Sequence, residues 1–195
     1  MMFPTDILRA ALCCVANENE SREYLQGVYI SPTHIHATDG RAAVMMEHGA
    51  DTDIDGVFLV KGEIPDSAEV TIIKRMDEGW MAIHSDEDKE FVGFCELVPL
   101  DCRYPDFSKI LPAEPEPCDV LPMFSGHLLA LPYLMFGSEI GFAAVQFKPS
   151  GKGGPCQLIL DPGINRLYGN PFLVIMPLRD NTFDLLDEVM NEEGI

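Results

Sequence analysis

Apolar residues return every three or four positions at the start of the chain. Ile7, Leu8, Ala11, Leu12 and Val15 fall on one stripe, Arg9, Cys13 and Asn17 fall off it, and Thr5 stands where an N-cap belongs. The spacing predicts an amphipathic helix over 6–17. After the polar loop NENESRE the period shortens to two. YLQGVYIS, HIHATD, RAAVMME, GVFLVKG, EVTIIKRM, GWMAIHSD and EFVGFCELVPL read as strands, with turns at Ser31–Thr33, Thr38–Arg41, Asp77–Gly79 and Asp86–Asp88. Pro65 in EIPDSAEV leaves any helix there short or absent.

From Asp101 to Pro117 the chain is rich in proline and has no clean period, which marks a linker, with the boundary near Arg103. A second unit then repeats the order of the first. A strand CDVLPMF leads to an apolar helix SGHLLALPYLMFG, which Pro132 is expected to kink or shorten, followed by strands GFAAVQFKP, CQLILDPG and PFLVIMPLR. The predicted class is α+β, built from repeated helix-plus-antiparallel-strand units. Its parts are residues 1–103, a linker and abbreviated unit over 104–180, and an acidic tail over 181–195, in which Phe183, Leu186 and Met190 share one face of a short helix.

The chain's 195 residues, 47% of them hydrophobic, suffice for one domain or two small ones with a real core. Charge changes the picture more. With 32 acidic against 13 basic side chains the net charge is -19, which disfavours wholesale neutralisation of phosphates. Any meeting with nucleic acid has to use a local basic strip or avoid tight contact. The six cysteines show no C-x-x-C and no zinc spacing, and read as free thiols. The N-terminus lacks a basic n-region and no apolar run reaches about 18 residues, so a cytoplasmic protein is expected, with no membrane partner.

Candidate chemistry is thin. Asp51–Gly56, DTDIDG, matches the start of a calcium loop, but its twelfth position is Gly62 where a bidentate Glu is needed. An acidic solvated turn is the better reading, and no metal site is assigned. PSGKGGP lacks the Ser or Thr after Lys152 and has Phe147 where a Walker A glycine belongs, so it reads as a hairpin turn. The five histidines form no metal or triad pattern, although His34 and His36 share one strand face. No catalytic residue and no cofactor is assigned. The expectation is a binding or scaffold protein and not an enzyme, with a small hydrolase using acidic residues as a minor reading.

Three stretches carry more. SREYLQGVYIS…HATDGRAAV, CRYPDFSKILP and FLVIMPLR, in this order, resemble three signature segments of the bacterial replicative sliding clamp, the beta subunit of DNA polymerase III. In that family a strand with an A-T-D-G-H-R hairpin belongs to the middle domain, an F-P-D-Y segment links the middle and last domains, and V-M-P-M-R is the closing strand. The chain resembles a shortened member, of the kind a phage or prophage carries. It lacks one domain, its hairpin is one residue short, and it runs on past MPLR.

The resemblance implies sheets outside and helices inside, and a hydrophobic groove in which polymerases and other clamp-binding proteins insert a short apolar peptide. The matched groove positions are Thr38, Gly40, Arg41 and Ala42 from the hairpin, Pro105, Lys109 and Ile110 from the linker, and Val174, Ile175, Met176, Pro177, Leu178 and Arg179 from the last strand. It also implies a homo-oligomeric ring that encircles double-stranded DNA without sequence specificity, with Arg9 and Arg22 as the side chains approaching phosphates. A clamp-derived adaptor or inhibitor that binds proteins and never encircles DNA is the alternative. The tail starts directly after the groove strand, so it is either a built-in competitor for the partner peptide or a solubilising acidic end.

Overall fold

The computed structural model describes residues 1–110, 116–119, 121–140 and 143–193, without the side chains of 138–140 and 192–193. Residues 111–115 of the proposed linker, Val120 of the predicted strand 118–124, Gly141 and Phe142 of the next strand, and the last two tail residues lie outside them.

Strands β1 (Met2–Pro4), β2 (Val28–Ile30), β3 (His34–Thr38), β4 (Ala42–Glu47), β5 (Gly56–Lys61), β6 (Val70–Met76), β7 (Gly79–Ser85) and β8 (Phe91–Leu100) come from the first half. Strands β9 (Val145–Pro149), β10 (Cys156–Leu160) and β11 (Phe172–Ile175) come from the second. All join one antiparallel sheet in the order β1-β6-β7-β8-β5-β2-β3-β4-β11-β10-β9. The halves meet at β4 and β11, where Ala43 opposes Val174 and Ala42 opposes Ile175. The Met176 amide donates to the Arg41 carbonyl at 2.7 Å, which carries the pairing one step beyond β11. At the other end of this seam the Glu47 amide donates to the Gly169 carbonyl at 2.7 Å. Gly169 has φ +63°, and a Cβ there would collide with the Glu47 backbone, so the seam needs glycine at this point.

Two helices, α1 (Thr5–Leu12) and α2 (Gly126–Ile140), cover one face. Leu8 and Ala11 of α1 and Leu131 and Phe136 of α2 are buried in one cluster with Ile30, Ile35, Val44, Leu158, Leu173 and Ile175 of the sheet. Each such large aliphatic side chain contributes about 1.5–3 kcal/mol by leaving water.

Several expectations need correction. α1 ends at Leu12, five residues early. Cys13 and Cys14 donate to carbonyls three residues back, which tightens the last turn, and the Ala16 amide leaves to bond the Leu25 carbonyl. Thr5 makes no cap. Its hydroxyl pairs with that of Thr71 at 2.9 Å, and Thr71 in turn with His84 Nδ1 at 3.0 Å, a buried polar chain crossing β6 and β7. No strand forms over the described part of 118–124. Pro122 has no amide to donate, and one bond, Leu178 N–H to the Met123 carbonyl, stands in its place. α2 is not shortened at Pro132 but continues past it to Ile140, because the buried face of Leu128, Leu131, Met135 and Phe136 offsets the one backbone bond lost. A short helix, α3 (Pro162–Leu167), takes over where the predicted strand CQLILDPG was expected to run on to Gly163. Its N-cap is Asp161, whose carboxylate accepts from the amides of Gly163 and Ile164. The tail forms α4 (Thr182–Glu193).

Candidate functional site

The β3–β4 turn shows how the sequence builds one wall of a groove. Asp39 accepts from the amides of Arg41 and Ala42, both at 2.7 Å, while the Thr38 hydroxyl donates to the Ala42 carbonyl at 2.6 Å and accepts from the Gly40 amide. Gly40 takes φ +84°, and the Arg22 guanidinium lies against the space where its Cβ would be. The short polar run between two strands is therefore a tight turn by its bonds and a groove rim by its position.

The second wall is the segment 101–110. The Asp106 carboxylate caps a 3₁₀ turn, Phe107–Lys109, by accepting from the Ser108 amide and hydroxyl. Those bonds, with the Lys109 ammonium 3.0 Å away, pull the Asp106 pKa down to about 2. The turn drives Phe107 into the structure and brings Ile110 to the groove. The end of β11 makes the third wall. Side chains alternate along a strand, so Val174 and Met176 face the groove and Leu173 and Ile175 face the helices.

The result is a cavity of about 210 Å³ lined by Thr38, Gly40, Arg41, Ala42, Pro105, Ile110, Val174 and Met176, with Arg22, Tyr24, Leu25, Ala43 and Phe107. Eight of the expected groove positions thus surround one space. Five others do not line it. Ile175 is buried in the core by the alternation just described. Lys109 is exposed and paired with Asp106. Pro177, Leu178 and Arg179 run on past the wall, where Leu178 is tied to Met123. Tyr24, Leu25, Ala43 and Phe107 were missed. Ala43 was recoverable from its strand register opposite Val174, whereas Tyr24 and Leu25 sit on a 3₁₀ turn, Glu23–Leu25, that no periodicity marks.

The two arginines expected to approach phosphates are separated. Arg22 belongs to the groove rim, where its guanidinium grips both carboxylate oxygens of Glu20 and holds the Glu20 pKa at about 2. Arg9 stays on α1, but its guanidinium is engaged by Asp6 at 2.7 Å and by the Pro65 and Asp66 carbonyls.

Behind Pro105 and Phe107 lies a second space of about 600 Å³ lined by Tyr29, His36, Asp55 and residues 100–107. Tyr29 stacks on Tyr104 with ring centroids 4.9 Å apart, and His36 meets Phe107 edge-on at 5.1 Å. Burial first, and His34 beside it, lower the His36 pKa to about 4. A hydrogen bond to Asp55 is the main cause holding the Tyr29 pKa up at about 12. Among the described residues no group of His, Cys, Asp and Glu could hold a metal ion, and no helix is long and apolar enough to cross a membrane.

No protein-family model matches the chain, and no curated protein matches it. Solved structures do. A protein assigned as a DNA polymerase III beta subunit from Eubacterium rectale superposes with a TM-score of 0.58 at 10% identity, covering 92% of this chain and 65% of that one. The DNA polymerase sliding clamp of Caulobacter crescentus gives 0.53 at 14% identity over 92% and 65%. The DNA polymerase III beta chain of Streptococcus pneumoniae gives 0.51 at 13% over 92% and 64%. The chain therefore has a DNA-clamp-like α+β fold, and it spans about 65% of the length of these clamps.

Proposed function

We propose that this protein is a sliding-clamp-like processivity factor that holds a polymerase or another clamp-binding protein by a short apolar peptide seated in the groove. The observation that carries this reading is the convergence of three segments far apart in sequence, 38–43, 105–110 and 174–176, on one apolar space with arginines at its rim. Such a space suits one or two large apolar side chains of an extended peptide, and Arg41 at the rim favours an acidic flank. In this reading residues 1–103 and 104–180 are two clamp-like units, the second abbreviated. Retention on DNA is topological and needs no base contacts and few phosphate contacts. The sheet ends on β1 and β9. A contact between β9 of one copy and β1 of the next is head-to-tail, and such a contact closes only by forming a ring.

The helix layer favours a second reading, a clamp-derived adaptor that never encircles DNA. Between them α1 and α2 carry a single Lys or Arg, the engaged Arg9, and α2 exposes Leu129, Tyr133 and Leu134 instead of cations. Calorimetry with a clamp-binding peptide from a bacterial DNA polymerase III tests the groove, and absence of binding overturns it. Light scattering and retention on closed circular against linear duplex then separate the readings. An oligomer retained only on circles supports the processivity factor, and a monomer retained on neither supports the adaptor.

A further inference from the structure

Helix α4 has an apolar face that no described residue covers. Phe183, Leu185, Leu186, Val189 and Met190 are all exposed, Phe183 to 65%. The rest of the helix holds Asp184, Asp187 and Glu188 and no base. A helix of 12 residues is marginal in water by itself, and the like charges of Asp184 and Glu188, one turn apart, weaken it further. Its stability calls for an apolar surface bordered by positive charge.

The groove is such a surface, and we propose that α4 folds back in the same chain and docks its apolar face there, so that a partner peptide has to displace it. This rests on the groove being a peptide site. Three facts support the choice of occupant. The rim carries Arg41, whose charge is complementary to the acids of α4, beside Arg22, which Glu20 already holds. The strand register puts the base of α4 at the groove end of the sheet, since Ala42 and Cys156 both oppose Ile175, so the β3–β4 and β9–β10 turns flank the end of β11. Lys152 on the β9–β10 turn holds Asp180 at 2.8 Å. α4 thus starts roughly 10 Å from the groove at about 4.8 Å per strand, and its own length is about 18 Å. Residues 179–181 are the hinge. The exposed stripe of α2 is a poorer berth, because it offers Leu129, Tyr133 and Leu134 with no Lys or Arg to meet the acids. Tethering gives α4 an effective concentration in the millimolar range at the groove, ahead of the same helix from a second copy.

The test keeps the full chain and introduces Leu186→Asp with Met190→Asp, two exposed positions whose replacement leaves the core intact. Two probes are titrated by calorimetry into parent and variant, the synthetic peptide 181–193 and the polymerase clamp-binding peptide. Docking in the same chain predicts that the variant binds both at least tenfold more tightly than the parent, and that adding Arg41→Glu weakens the 181–193 peptide severalfold. Equal affinity of parent and variant, or no binding of the 181–193 peptide to the variant, overturns the proposal. A gain that disappears on diluting the protein assigns the helix to a second copy and also overturns it. If the clamp-binding peptide binds parent and variant alike while 181–193 binds neither, the groove reading stands and only the docking falls. If the clamp-binding peptide binds neither protein, the groove reading itself fails.

Discussion

The groove and the helix layer lie against the same sheet and are chemically opposite. The groove is small, apolar and rimmed by Arg41 and by Arg22, which Glu20 holds, built where a tight turn, a capped 3₁₀ turn and a strand end meet. The helix layer is broad, exposes leucine and tyrosine, and presents one arginine that is already spent on Asp6 and two carbonyls. On the proposed function, the features suited to a partner peptide sit at the groove, and among the described residues the faces of α1 and α2 carry no free cation for DNA.

The largest effect should come from breaking the seam that assembles the groove. Gly169→Ala puts a Cβ against the Glu47 backbone at positive φ, and should cost roughly 3 kcal/mol of stability. Thermal denaturation reads it, and an unchanged melting temperature would mean that β4 and β11 do not depend on this approach. Next in size, Met176→Ala should weaken a clamp-binding peptide by about 1–2 kcal/mol with the melting temperature preserved, because Met176 is exposed at the groove wall. Leu129→Ala on α2 is the matching control and should leave that affinity alone. Equal losses from both would erase the contrast between the two regions.

A pH effect should follow from His36, beside the groove. Its folded pKa of about 4 lies below the ordinary 6.5, so the unfolded chain takes up the proton first. The contribution is complete above pH 6.5 and is lost as pH falls toward 4. Burial lowers His48 and His84 too, which adds in the same direction. His36→Phe should flatten the decline in melting temperature between pH 6.5 and 4, and a decline as steep as the parent's would remove His36 from the cause. The smallest effect concerns the helix layer. Leu129→Arg with Tyr133→Arg should raise affinity for a short linear duplex only severalfold, and steepen its salt dependence by about one per added arginine. No change in filter binding across a salt series would show that this face is not open to DNA.

Much of the fold was legible because one face of the sheet is buried, and burial imposes a period of two that the strands display openly. The elements that were misread lack a period. Asp161-Pro162 is a sound helix start, cap followed by proline, but six residues are too few to reveal an apolar stripe. CDVLPMF looks apolar enough for a strand, yet its described residues join no ladder. For the site, the hairpin turn was legible from its own residues, whereas the linker and the closing strand were marked as groove walls only through their resemblance to clamp segments.

Local chemistry alone determined that Thr38–Arg41 would turn, that α+β units would repeat, and that the tail would be acidic and amphipathic, since each depends on neighbours in sequence. Only the tertiary structure decided which face of β11 the groove would take, that Phe107 and Leu25 would enter it, and that Arg22, in the loop after α1, would sit at its rim. Those outcomes depend on register across the β4–β11 seam and on where the 101–110 segment crosses the sheet. Contacts between residues some 130 positions apart follow from packing, not from any pattern along the chain.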